Sequence, residues 1–233
     1  MRGFYCHFND LKNTDLDVVI TKRPNIPSPY YEYEEVPIEG RGMLYRKKYL
    51  KDINIEVEFA FLVDDSNEWN KRLRKVKKWV NKINDNKLRF SDDLDFFYYV
   101  NKATIKDSER EIRRVGRFTV VFTCEPYMYL EDGTRAIELP TLLYNFYEKT
   151  QPIYIVEGEG FFSMQINGKA IKANVGQNLT IDTKLGLCYK EDGTMQNTAL
   201  PGNYEDMYLQ NGKNTFSYTN GFKVSIIPNW RCL

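Results

Sequence analysis

The sequence predicts a mostly β protein with one α-helix: an N-terminal α+β part, a β-sandwich plus helix, followed by a second, C-terminal β-sandwich. Three observations carry this reading. Residues 51–63 alternate without a break, with Ile53, Ile55, Val57, Phe59 and Phe61 on one face and Asn54, Glu56 and Glu58 on the other, the two-residue period of a half-buried strand. Residues 64–84 alone show helical spacing, with Trp69, Leu73, Val76, Val80 and Ile83 on one stripe. From Gln151 onward the chain is a series of short apolar segments parted by turn residues, which indicates a compact sandwich.

The elements follow in order. Residues 3–8 and 16–21 read as two short strands joined by a polar turn. Residues 23–50 hold prolines at 24, 27, 29 and 37, which exclude a helix and a central strand; with Tyr30, Tyr31, Tyr33 and Tyr45 they form an aromatic, extended arm. The helix is expected over 65–84, with Asp65 as cap and Glu68 completing an acidic capping box. Strands are expected at 87–90, 96–106 and 116–124, with a charged hairpin tip at 108–114 and Pro126 as the stop. The N-terminal domain thus spans 1–135, a passage between domains spans 136–150, and the sandwich spans 151–233. In the passage, Leu139, Leu142, Leu143, Tyr144, Phe146 and Tyr147 require burial. At the end, Asn214, Phe216 and Tyr218, then Phe222, Val224 and Ile226, alternate around Asn220-Gly221 and read as a closing hairpin, with Trp230 as an apolar plug.

Composition narrows the function. Of 233 residues, 42% are hydrophobic and 28% charged, and 33 basic residues against 32 acidic ones leave a net charge of +1. This is a globular composition without a global field to draw nucleic acid or membrane. There is no apolar run long enough to span a bilayer and no secretion signal at the N-terminus, so the cytoplasm is the expected place of synthesis. Cys6, Cys124, Cys188 and Cys232 are scattered, and His7 is the one histidine. No metal, cofactor or catalytic site is expected, since a Ser–His or Cys–His pair would have to use His7. The acid pairs Asp92/Asp93 and Glu157/Glu159 suit a glycosidase in residue type, but neighbouring acids on turns are common.

Three surfaces remain as candidates. The arm is either a long surface loop or an interface segment; its tyrosines favour an interface, with Tyr30, Tyr31, Tyr33, Val36, Arg41 and Tyr45 as the contact residues. The helix carries a basic face, Lys71, Arg74, Lys75, Lys78 and Lys82. Asp64, Asp65, Asp92, Asp93 and Asp95 lie near enough in sequence to neutralise it. It reads as a solvated face or one that meets an acidic partner, ahead of a nucleic-acid contact. In the sandwich, Tyr204 and Tyr208, with Tyr189 and Trp230 behind them, are the aromatics available to stack a sugar, although Trp230 reads better as a core plug.

An ordered set of segments over nearly the whole chain resembles the distal tail protein family of long-tailed bacteriophages. In the first half these are FYCHFND, VPIEGRGMLY, INIEVEFAF, EWNKRLRKVKKWV, LRFSDD and FTVVFTCEPY; in the second, PIYIVEGEG, INGK, LTIDT and GKNTFSYTNGFKVSIIPNWR. The resemblance implies a structural virion protein, not an enzyme, at the tail tip: a homo-hexameric ring formed by the N-terminal domain, assembled in the host cytoplasm. It implies the tail tube protein above and a tail-tip or tail-associated lysin protein below, with a channel that DNA crosses in transit. It also implies a galectin-like or carbohydrate-binding-module-like sandwich, which holds receptor-binding or other baseplate proteins. The sandwich lacks the long insertion in which family members carry extra carbohydrate-binding modules. The alternative is a carbohydrate-binding protein that recognises host glycans through that sandwich.

Overall fold

In a computed structural model the chain is mostly β, with a single α-helix among the described residues. The structure describes residues 3–112 and 114–233, and of 107–112 the backbone alone; of the charged tip expected at 108–114, residue 113 lies outside the described residues. The chain divides into two compact units, Met1–Met128 with Leu233, and Tyr129–Cys232.

In the first unit, β1 (Cys6–Phe8) and β2 (Leu11–Lys12) form a tight hairpin, followed by β3 (Val18–Lys22). The turn is Asn9-Asp10, with φ of 54° and 59°, the paired left-handed residues that a two-residue hairpin loop requires. Next come β4 (Tyr31–Ile38), β5 (Gly42–Leu50) and β6 (Ile53–Leu62). The helix α1 (Trp69–Asn81) leads to β7 (Lys87–Phe90), β8 (Asp93–Ile112) and β9 (Val115–Leu130). One sheet runs β2-β1-β7-β8-β9-β6-β3. The alternation read in β6 is borne out: Ile53, Ile55, Val57, Phe59 and Phe61 are buried and Asn54, Glu56 and Glu58 exposed, and it pairs with β9 from Ile53↔Cys124 to Leu62↔Val115. Pro126 does not end β9, because the β6 ladder stops at Cys124 and makes no demand on the proline nitrogen.

The helix is shorter than expected and its stripe is different. Asp65 caps a 3-10 turn, Ser66–Glu68, by accepting from the Asn67 N–H at 3.0 Å. The α-helix then starts at Trp69 without a side-chain cap, so there is no capping box. At the other end Lys82 is already extended, and Ile83 is 39% exposed instead of completing the stripe. Trp79 takes that place. Its ring meets Phe8 of β1 at 5.9 Å and Phe59 of β6 at 5.8 Å, both edge-on, and its Nε1 donates to the Phe8 carbonyl at 2.8 Å. These strands lie near opposite ends of the sheet path, so the sheet curls and the helix closes the open side of its core.

In the second unit, β10 (Ile137–Glu138) and β11 (Leu142–Asn145) occupy the stretch expected as a passage. The long strands β12 (Ile153–Ile166) and β13 (Lys169–Asp182) follow, then β14 (Leu187–Tyr189), β15 (Gly212–Tyr218), β16 (Lys223–Ile227) and β17 (Arg231–Cys232). The sequence suggests four short strands where β12 and β13 stand. They stay paired without a break because the bend falls on glycines that tolerate it, Gly158 (φ 146°) and Gly160 (φ 107°), with Gln177 (φ 73°) opposite Gly158. On one side of the bend β12 pairs with β16, on the other with β15. The closing hairpin is therefore not a hairpin: β15 and β16 diverge to opposite halves of β12. Phe222, between them, lies over Gly158 so closely that a Cβ there would sit 2.4 Å from its ring. Both halves of β12 bury alternate residues, Tyr154 and Val156, then Phe162, Met164 and Ile166, in one core. Trp230 packs against that core and abuts Gly133, as the plug reading expects.

Replacement of Trp79 by alanine is expected to cost about 3–5 kcal/mol, the range for a buried large aromatic. Ile83→Ala is expected to stay within about 0.5 kcal/mol, as exposed positions do. Chemical denaturation of the two variants checks both values, and equal losses would mean that Ile83 belongs to the core stripe after all.

Candidate interaction surfaces

The arm is a β-hairpin. The strands β4 and β5 pair from Tyr31↔Leu50 to Ile38↔Gly42, with a register shift between Tyr31 and Tyr33, as a two-stranded sheet of their own. Pro37 fits within β4 because both strands of a lone pair are edges. Gly40 and Gly42, with φ of 75° and 84°, make the tip, and the Arg41 N–H closes it onto the Ile38 carbonyl at 3.0 Å. At the base, Lys51 donates its N–H to the Tyr30 carbonyl at 3.0 Å, and its Nζ pairs with Glu32 at 3.2 Å.

Neither face of this hairpin is covered. Directly opposed residues share a face, so Tyr33, Pro37, Tyr45 and Met43 lie on one side and Val36, Ile38 and Leu44 on the other. Tyr45 is 61% exposed, Tyr33 51% and Leu44 51%. The six candidate residues divide accordingly. Tyr30, Tyr33, Val36, Arg41 and Tyr45 are exposed, and Tyr31 is half-buried. Tyr30 and Tyr31 lie at the base, with Lys51 Nζ 5.6 Å and Lys47 Nζ 3.3 Å from their ring centroids. A two-stranded ribbon with no core is marginal in water, so this one presents apolar area that the unit does not bury.

The helix face is less neutralised than the nearby aspartates suggest. Lys71 pairs with Glu68 at 3.9 Å, and Arg72 binds Asp17 and the Leu16 carbonyl. Asp92 pairs with Arg23 at 2.6 Å instead of with the helix. Arg74, Lys75, Lys78 and Lys82 are exposed and have no carboxylate partner among the described residues. Beside them Asn9 ties down the end of the helix. Its Nδ2 donates to the Trp79 and Lys82 carbonyls at 2.6 and 2.9 Å, and its Oδ1 accepts from the Asn84 N–H at 2.9 Å. The sequence offered no signal for this, since Asn9 is 70 residues from the bond it makes.

In the second unit Tyr204 and Tyr208 are not free platforms. Both are half-buried: the Tyr204 hydroxyl sits 3.3 Å from Cys188 Sγ, and that of Tyr208 accepts from Gln151 Nε2 at 3.2 Å. Desolvation, then the Cys188 contact, pushes the Tyr204 hydroxyl pKa up. The exposed aromatics lie elsewhere, where burial was expected. Alternation in β11 turns Leu143 and Asn145 inward and leaves Tyr144 52% exposed; Phe146, just past the strand, is 82% exposed, and the two rings stack at 6.0 Å. Of the acid pairs, Asp92 is held by Arg23, and Glu157 pairs with Lys223 at 3.4 Å. Among the described residues no group of three or more His, Cys, Asp or Glu side chains is placed to hold a metal.

The cysteines are structural, apart from the half-buried Cys232. Burial raises the Cys6 thiol from 9.0 to about 12, and raises Cys124 and Cys188 as well. A raised folded-state pKa means that unfolded chains lose this proton first, so the stability that Cys6 lends is whole below about pH 9 and falls as pH climbs toward about 12. In Cys6→Ala the decline in denaturation midpoint between those limits is expected to be shallower than in wild type; an identical slope would refute the assignment.

Residues 12–124 match the phage tail protein RIFT-related domain family. Among solved structures, that of SPP1 Dit (gp 19.1), described as a paradigm of the hub adsorption apparatus in phages that infect Gram-positive hosts, superposes with a TM-score of 0.72. The identity is 16%, over 97% of this chain and 98% of that one. A chain of the phage P2 baseplate, in its activated conformation with calcium, matches with a TM-score of 0.50 and 10% identity over 100% and 98% of the two chains. No curated protein sequence matches. At these identities the structural likeness is one of fold. Residues 12–124 are thus similar to the phage tail protein RIFT-related domain, and the chain as a whole shares the fold of SPP1 Dit.

Proposed function

We propose that the protein is a structural hub of a siphophage tail, without enzymatic activity, and that the β4–β5 arm makes its subunit contact. The carrying observation is the arm: a hairpin with exposed apolar residues on both faces, outside both main sheets, in a chain whose residues 12–124 match a phage tail domain. A head-to-tail contact closes into a ring when one surface reaches a different surface on the next copy, and an arm supplies that reach. The solved likenesses, a hub protein and a baseplate chain, support the same role at the tail tip. In this reading six copies form a ring between the tail tube protein and a tail-tip or tail-associated lysin protein. DNA crosses its channel, and the second unit is a galectin-like sandwich that faces receptor-binding or other baseplate proteins.

Light scattering after size-exclusion tests the arm. The wild-type chain is expected as a discrete oligomer, about 165 kDa for six copies of 27.5 kDa. The variant Val36→Asp with Leu44→Asp is expected as a folded monomer, because both side chains are exposed and their loss removes no core contact. A monomeric wild type, or an oligomer that survives both aspartates, overturns the arm assignment.

A second reading, glycan recognition by the second unit, is favoured by one observation: the stacked, exposed Tyr144–Phe146 pair. Exposed rings suit sugar stacking better than the tethered Tyr204 and Tyr208. If the reading holds, full-length protein binds a glycan array and Tyr144→Ala with Phe146→Ala abolishes the signal; a blank array for wild type removes it.

A further inference from the structure

The basic face of α1 borders a cleft of about 370 Å³, within the size of real ligand sites, roughly 300–1,000 Å³. Its floor is apolar, formed by Leu11, which is 40% exposed, with Leu16 and the edge of Trp79. Its rim is Lys75 and Lys78, one turn apart on one side of the helix, with Lys82 just past the helix end. We infer that this cleft is a docking site for an acidic segment of a partner protein, one in which carboxylates flank an aliphatic side chain. The inference goes beyond the hub reading and does not depend on the arm.

Three features select this occupant. The rim lysines lack carboxylate partners among the described residues, whereas Lys71 and Arg72 on the same helix have them, so the charge beside the cleft is left for something outside the chain. Part of that charge complements the helix C-terminus, which explains lysines at 78 and 82 but not the apolar hollow beside them. The walls are already fixed by the Asn9 and Trp79 hydrogen bonds, so a ligand meets a formed site and little ordering cost. The chemistry also separates polypeptide from nucleic acid. Trp79 is 5% exposed and offers no ring face for a base. The rim has no arginine to grip phosphate through two bonds, and a net charge of +1 gives a polyanion no long-range pull.

The test is a fluorescence-anisotropy titration of the full-length protein. The probe is a labelled synthetic peptide in which aspartates and glutamates flank one leucine. One control peptide carries asparagine and glutamine instead, another has alanine for the leucine, and a single-stranded oligonucleotide stands for nucleic acid. Saturable binding of the acidic peptide is expected, weakened at least about tenfold in Lys75→Glu with Lys78→Glu and by both peptide controls. All these side chains are at the surface, so the variants are expected to fold, and light scattering verifies that their mass is unchanged. Leu11→Ala supplies the second check: a docked aliphatic side chain makes it weaken binding, whereas diffuse attraction leaves it without effect and overturns the inference. It is equally overturned by an absence of saturable binding, by charge reversal that changes nothing, or by an oligonucleotide that binds more tightly than the peptide.

Discussion

Trp79 is the contact on which the first unit depends. A sheet with strands as apolar as β6 and β9 needs its buried face covered, and one thirteen-residue helix does this. The indole bridges Phe8 and Phe59 and spends its N–H on the Phe8 carbonyl, which fixes both the depth and the rotation of the helix. With Trp79, Val76 and Val80 turned in, the 3.6-residue period puts Arg74, Lys75 and Lys78 outward. The basic rim is thus a geometric consequence of the core, and what the sequence chose freely was to leave those outward positions without acidic neighbours.

The second unit solves a different problem by a single long hairpin. Two sheet halves share β12 and β13, and continuity across the bend keeps every backbone pair from Ile153↔Asp182 to Ile166↔Lys169. A side chain at Gly158 would collide with Phe222, so that glycine supports both an unusual φ and a close approach. Asn214, fully buried, satisfies the turns around it: its Oδ1 accepts from Asn167 Nδ2 and the Gln210 N–H, and its Nδ2 donates to the Gln210 and Gly212 carbonyls. Buried polar groups of this kind are tolerable only when fully paired, and here the pairing holds β15 where it meets β12.

What was legible in the sequence followed from period and from turn chemistry. The β6 alternation, the position of the helix and the β-rich second half were readable because each is local. The misreadings share one cause, in that the deciding contact is distant. Ile83 and Trp79 both sit plausibly on an apolar stripe, and only the Asn9 bonds and the extended Lys82 show where the helix stops. The Asn220-Gly221 turn looks like a hairpin turn in isolation, but β15 and β16 each find a better partner in β12. Tyr144 and Phe146 looked like core because they are large and apolar, yet β11 is an edge strand whose alternate residues have no layer above them. For the candidate surfaces the outcome is similar: composition marked the arm and the lysines, while the cleft beside the lysines required Leu11 and Leu16 to be brought to the helix by the fold.

The arm and the cleft then stand as two different kinds of surface. The arm is exposed on both faces and has no core, so its stability depends on what covers it, and coupling between its order and its contact follows directly. The cleft is rigid before anything binds, held by hydrogen bonds at its floor and at the helix end. Its energy comes from screened lysines over a small apolar area, which favours a contact sensitive to salt and exchangeable between partners. In the proposed hub the arm would be a committed surface and the cleft a reversible one. The structure keeps the two apart, with exposed apolar area on the arm and unneutralised charge on the helix.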